Sequence, residues 1–120
     1  MKKYIADTNF ILRYLLADNE SHYNHTKMLF EEARNGACQI IIEQCVFTEV
    51  VFVLSSLYEK PKEKIVEHLK SLLSYKGIKA ELEIYQAALD IYLKNSIHIV
   101  DAILAVYTLS SPSVINHFFV

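Results

Sequence analysis

The sequence predicts an α/β domain, a three-layer α/β/α arrangement built on a short, mainly parallel sheet. Three observations carry that expectation. Short apolar or β-branched runs alternate with longer stretches of helical period. At least one helix-length stretch lies between each run and the next, as a parallel crossover requires. And 120 residues suffice for one well-buried core but not two, so residues 1–120 are expected to form a single domain.

The elements follow in order. A brief apolar run, about Lys3 to Ala6, reads as a buried strand. Phe10, Ile11, Tyr14 and Leu15 then recur at helical spacing over about Thr8 to Ala17. Asp18 to Ser21 is a break with Ser21 as helix N-cap, and a second helix runs from about His22 to Asn35, ended by Gly36. Cys38 to Ile42 is the second strand. The third helix, about Gln44 to Tyr58, has a main stripe of Val46, Phe47, Val50, Val51, Leu54 and Leu57. Phe52 and Val53 add apolar surface elsewhere, so this helix is expected to be buried all round or to meet another subunit. Pro61 fits a first helical position before a fourth helix, about Lys62 to Ser74. Ile78 to Ala80 is a minimal strand, and helices five and six cover about Leu82 to Lys94 and Ile99 to Leu109. Val114-Ile115 is a candidate last strand.

Composition narrows the function. A hydrophobic content of 52% with 22% charged residues excludes a disordered chain. A net charge of −2 provides no global basic footprint, so any nucleic acid must be met by a local patch. Two cysteines, Cys38 and Cys45, without metal-ligand spacing read as small apolar residues in a reducing cytosol. No run of 18 uncharged apolar residues occurs, so no membrane span is expected, and a cytoplasmic protein is. With two glycines in all and no G-x-S-x-G, phosphate-loop and serine-hydrolase chemistries are closed.

Three lone acids stand out. Asp7 falls at the carboxyl end of the first strand, where open α/β sheets place their binding groups. Glu49 and Asp101 lie in apolar surroundings, with no lysine or arginine within four residues. An unpaired buried carboxylate costs several kcal/mol. Convergence on one divalent cation, Mg²⁺ or Mn²⁺, would relieve all three at once. Such a site suits phosphodiester hydrolysis, since the ion acidifies a bound water and offsets charge on the phosphate. The plainer readings are an N-cap for Asp7 and dipole support of a helix start for Asp101. Thr8 and Asn9 are placed to orient Asp7 or a bound water, or else simply to cap the helix. Arg13 follows Asn9 by one helical turn on the same face and is a candidate phosphate contact. Lys60, Lys62 and Lys64 form the densest basic cluster and are candidate RNA contacts, against the commoner role of a solvated helix start.

Asp7-Thr8-Asn9 after a strand, Thr48-Glu49-Val50 in the third helix and Val100-Asp101-Ala102-Ile103-Leu104-Ala105 together resemble, in order and spacing, the acidic motifs of PIN-domain proteins. The nearest group is the VapC-like toxins of toxin–antitoxin pairs. The resemblance implies a metal-dependent endoribonuclease acting on RNA, restrained by a cognate antitoxin protein and forming homodimers. On the family pattern Asp7, Glu49 and Asp101 would be the catalytic and metal-holding acids, with Thr8 and Asn9 beside them. One departure is visible: Val114 to Val120, where the family usually has another acid, carries no carboxylate, so this end is expected to be truncated or divergent. The alternative is therefore a catalytically weakened PIN-like module that binds RNA or protein. A small flavodoxin-like regulatory domain fits less well, because it needs only one exposed acid cluster.

Overall fold

A computed structural model describes residues 1–17 and 20–110. They form six helices and three strands in the order β1 (Lys3–Ile5), α1 (Thr8–Leu16), α2 (Glu20–Arg34), β2 (Gln39–Ile41), α3 (Gln44–Ser56), α4 (Lys62–Leu73), β3 (Ile78–Lys79), α5 (Leu82–Lys94) and α6 (Ile99–Ser110). This is the α/β class with a short parallel sheet that the alternation predicts. Asp18-Asn19, Val114-Ile115 and the stretch without a carboxylate lie outside the described residues. The chain divides into two compact units, Met1–Ala80 and Glu81–Val120.

In the first unit β2 lies between β1 and β3, and both pairings are parallel. Lys3 stands opposite Gln39 and Ile5 opposite Ile41, while Ile40 meets Ile78. The central strand earns its β-branched run, since Ile40 is fully buried, and Ile78 of β3 beside it is nearly so. β1 departs from expectation. Ile5 is 72% exposed, because successive strand residues alternate faces and Ala6 is the one that turns inward.

Helix ends follow local chemistry. Asp7, in extended backbone, caps α1 by accepting from the Phe10 N–H at 2.8 Å. Ala17 ends that helix in the left-handed region, φ 51°. Gly36, at φ 80°, ends α2 as its position suggested. Ser21 lies inside α2, which begins at Glu20, and so is not its cap. Pro61 is the residue before α4, not its first helical residue; with ψ 146° its carbonyl accepts from Lys64 and Ile65.

The core of this unit is drawn from one stripe of each helix. Ile11 and Leu12, Phe30 and Ala33, Phe47, Val50, Val51 and Leu54, and Ile65, Leu69, Leu72 and Leu73 are all buried. α3 is not buried all round: Phe52 is 59% and Leu57 74% exposed. Phe52 falls about 150° around the helix from the centre of the buried stripe, and Leu57 is the C-cap beyond it. An aromatic and polar brace joins α1, α2 and the end of α4. Tyr14 stacks on Phe30 at 4.4 Å, and its hydroxyl lies 2.7 Å from that of Tyr75. Arg34 donates to the Tyr75 hydroxyl and sits 4.6 Å from its ring centre. Burial first, then the bond to Tyr75, raises the Tyr14 pKa above its ordinary value. Cys38 is buried with its Sγ toward the Leu29 carbonyl, and burial pushes its pKa up, as suits an inert core thiol. Cys45, by contrast, is exposed in the first turn of α3.

In the second unit α5 and α6 pack on each other. Tyr85, Ala88, Leu89 and Tyr92 are the buried side of α5; Ile99, Ala102 and Ile103 are that of α6. The Tyr107 hydroxyl donates to Glu81 at 3.2 Å.

Candidate active site and nucleic-acid groove

Asp7 is placed by β1 and α1 together: the strand ends at Ile5, and the helix begins one residue after the acid. One carboxylate oxygen is engaged by the Phe10 N–H, so the plain capping role is real. Capping leaves the acid exposed at the mouth of the strand, able to offer oxygen outward. Thr8, the first helical residue, is buried, and Asn9 is exposed.

Glu49 and Asp101 correct the premise drawn from the sequence. They are expected among core residues, yet both are exposed, as is Asp7. The helical period explains it. On α3 the buried residues Phe47, Val50, Val51 and Leu54 centre on one direction, and Glu49 points about 150° away. On α6, Asp101 is likewise about 150° from the direction of Ile99, Ala102 and Ile103. The buried apolar residues near each acid in sequence therefore lie on the opposite side of its helix, and the desolvation cost argued from them does not arise. Two other apolar residues near Asp101 in sequence, Val100 and Leu104, are themselves exposed. Asp7 and Glu49 belong to the first unit and Asp101 to the second. Among the described residues no group of three or more His, Cys, Asp or Glu side chains stands where it could hold a metal ion.

Three of the four basic candidates line one or other of two grooves that share Leu16. An open groove of about 280 Å³ is lined by Asn9, Leu12, Arg13, Leu16 and Tyr58. A second, of about 60 Å³, is lined by Leu15, Leu16, Leu54, Lys60, Lys64, Ile65 and His68. Asn9 and Arg13 thus share a face of α1, as their spacing predicts. Lys64 lies 3.7 Å from Glu67, with both side chains more than half exposed, a pair that contributes little to stability. Lys62 is half-buried and lines neither groove. The sequence reading missed Tyr58. It precedes the basic segment Lys60-Pro61-Lys62 by two residues, and an aromatic interleaved with lysines was the available clue. The backbone sets its place: Tyr58 N–H donates to Val53, Glu59 adopts φ 50°, and Lys60 N–H returns to the Leu54 carbonyl.

The model of the PIN domain matches residues 4–113. The chain belongs to the PIN domain family. No curated protein and no solved structure matches it. PIN domains have a nuclease-type fold and are in general metal-dependent nucleases that use divalent ions. No helix among the described residues is long and apolar enough to cross a membrane.

Proposed function

We propose that this PIN domain is a Mg²⁺- or Mn²⁺-dependent endoribonuclease, the toxin of a toxin–antitoxin pair, acting as a cytoplasmic homodimer under control of a cognate antitoxin protein. The observation that carries the reading is the family match over residues 4–113, a span that includes Asp7, Glu49 and Asp101. Exposed carboxylates at the end of a strand and on two helices fit a hard cation by donor type, with water and phosphate completing its shell. Asp7, Glu49 and Asp101 are the residues that would hold the ion. When bound, it supplies positive charge toward the phosphate and acidifies water. The chain's own contributions are orientation and charge. The α1 cap fixes the Asp7 rotamer, Asn9 presents an amide one turn before Arg13, and Arg13 and the lysines draw the RNA backbone in. The exposed Phe52 of α3 and Leu57 at its C-cap support a subunit contact there.

Cleavage of labelled RNA in Mn²⁺ tests the proposal. Asp7→Asn keeps a capping side chain, so its fold should survive, whereas Asp7→Ala should lose about 1 kcal/mol of stability. Loss of a charged ligand should nonetheless slow Asp7→Asn by about a hundredfold or more. Cleavage by Asp7→Asn at the parent rate would refute catalysis at this site. RNA binding without any metal-dependent cleavage would leave a binding module in its place.

A further inference from the structure

We infer that the groove between α1 and the end of α3 seats one nucleotide of a single-stranded RNA, its base stacked on Tyr58 and its phosphate met by Arg13. The inference rests on the ribonuclease reading for its substrate class and goes beyond it by naming where the strand is held. Three observations combine. The groove brings together an aromatic ring, a guanidinium and a primary amide, Tyr58, Arg13 and Asn9, which are the groups that recognise a base face, a phosphate and a base edge. Tyr58 is 44% exposed and lines this open groove, so part of this large aromatic residue is accessible to a partner. Asn9 lies two residues after Asp7, so the groove opens beside the first turn of α1, where the candidate acid stands.

The arrangement favours single strands. In a duplex the base faces are stacked on one another and unavailable to a side chain, whereas an unpaired base can lie flat on an aromatic ring. Leu12 and Leu16 floor the groove with apolar surface that would cover the edge of such a base. The second groove, which shares Leu16 with the first, adds the amines of Lys60 and Lys64 as further phosphate contacts.

The test is fluorescence anisotropy with a short labelled oligouridylate, without divalent ions so that nothing is cleaved, beside the same strand made abasic. Tyr58→Ala should weaken oligouridylate binding by about five- to a hundredfold and leave the abasic strand nearly unaffected. Tyr58→Phe should stay within about twofold of the parent, since the ring is kept. Arg13→Gln should weaken both strands and reduce the slope of log K against log salt by about 0.7. Equal affinity of Tyr58→Ala and parent for oligouridylate, an equal loss on both strands, or no binding of either strand by the parent overturns the inference. Two further results separate it from the ribonuclease reading. Tyr58-dependent binding by a parent that never cleaves keeps the groove and removes the nuclease. Asp7-dependent cleavage that is indifferent to Tyr58 does the reverse.

Discussion

Replacing Gly77 by alanine puts a methyl group where three backbones already meet. Gly77 immediately precedes β3, where its N–H donates to Ala33 of α2 at 2.7 Å and its carbonyl accepts from Ile40 of β2 at 2.9 Å. An added Cβ would stand 2.1 Å from the Cys38 carbonyl oxygen, 2.8 Å from that of Ala33 and 3.0 Å from the Ala33 Cα. Ordinary contact begins at 3.4 Å, so the first of these must open by 3.4 minus 2.1, about 1.3 Å. No flexible side chain is there to give way; the strand connection itself must move. A shift of that size takes the two bracketing hydrogen bonds out of range, at about 1 kcal/mol each net. Forced repacking adds about 1–3 kcal/mol. The expected loss is therefore about 3–5 kcal/mol, or a fall in Tm of about 12–20 °C for a chain of this size. With no tryptophan in the sequence, urea and thermal unfolding should be followed by circular dichroism at the helix band. A Gly77→Ala protein within about 1 kcal/mol of the parent would refute the packing argument.

Two further outcomes follow from the first unit. Ala17 ends α1 at φ 51°, a region where a Cβ is strained and glycine is not, so Ala17→Gly should stabilise by about 0.5–1 kcal/mol in urea melts. The Tyr14 hydroxyl is held above its ordinary pKa of about 10 by burial, then by Tyr75 and the Glu31 charge, with Arg34 opposing. The folded protein thus keeps a proton that the unfolded chain gives up. Its contribution to stability is whole below about pH 10 and is lost as pH rises through the higher folded value. Tyr14→Phe should flatten the alkaline fall in stability, and an unchanged slope would show that another group controls it.

What the sequence made legible was mostly what one-dimensional period encodes. The α5 boundaries, Leu82 to Lys94, follow from a clean apolar repeat bounded by Asn95, and Gly36 marked the end of α2 because few other residues adopt its φ. The three strands among the described residues were placed within a residue or two. Less legible was anything set by direction around a helix. Glu49 looked buried because Val46, Phe47, Val50 and Val51 surround it in the chain, yet two of its nearest neighbours along its own side of α3 are the exposed Cys45 and Phe52. The Arg13–Tyr58 groove was invisible for a different reason. It joins residues 45 positions apart, and only the packing of α1 against α3 makes them one surface.

Exposure of the three acids changes the physical basis of the metal reading. A buried carboxylate would make the ion a condition of folding, since the charge has nowhere else to go. An exposed one is already solvated, so its charge imposes no demand for an ion on the fold. Asp7 shows how this works locally: one oxygen accepts from the Phe10 N–H and so holds the side chain against the α1 N-terminus. That preorganisation gives the acid a structural role that is independent of chemistry. It also explains why asparagine, which caps equally well but carries no charge, separates the two roles at this position.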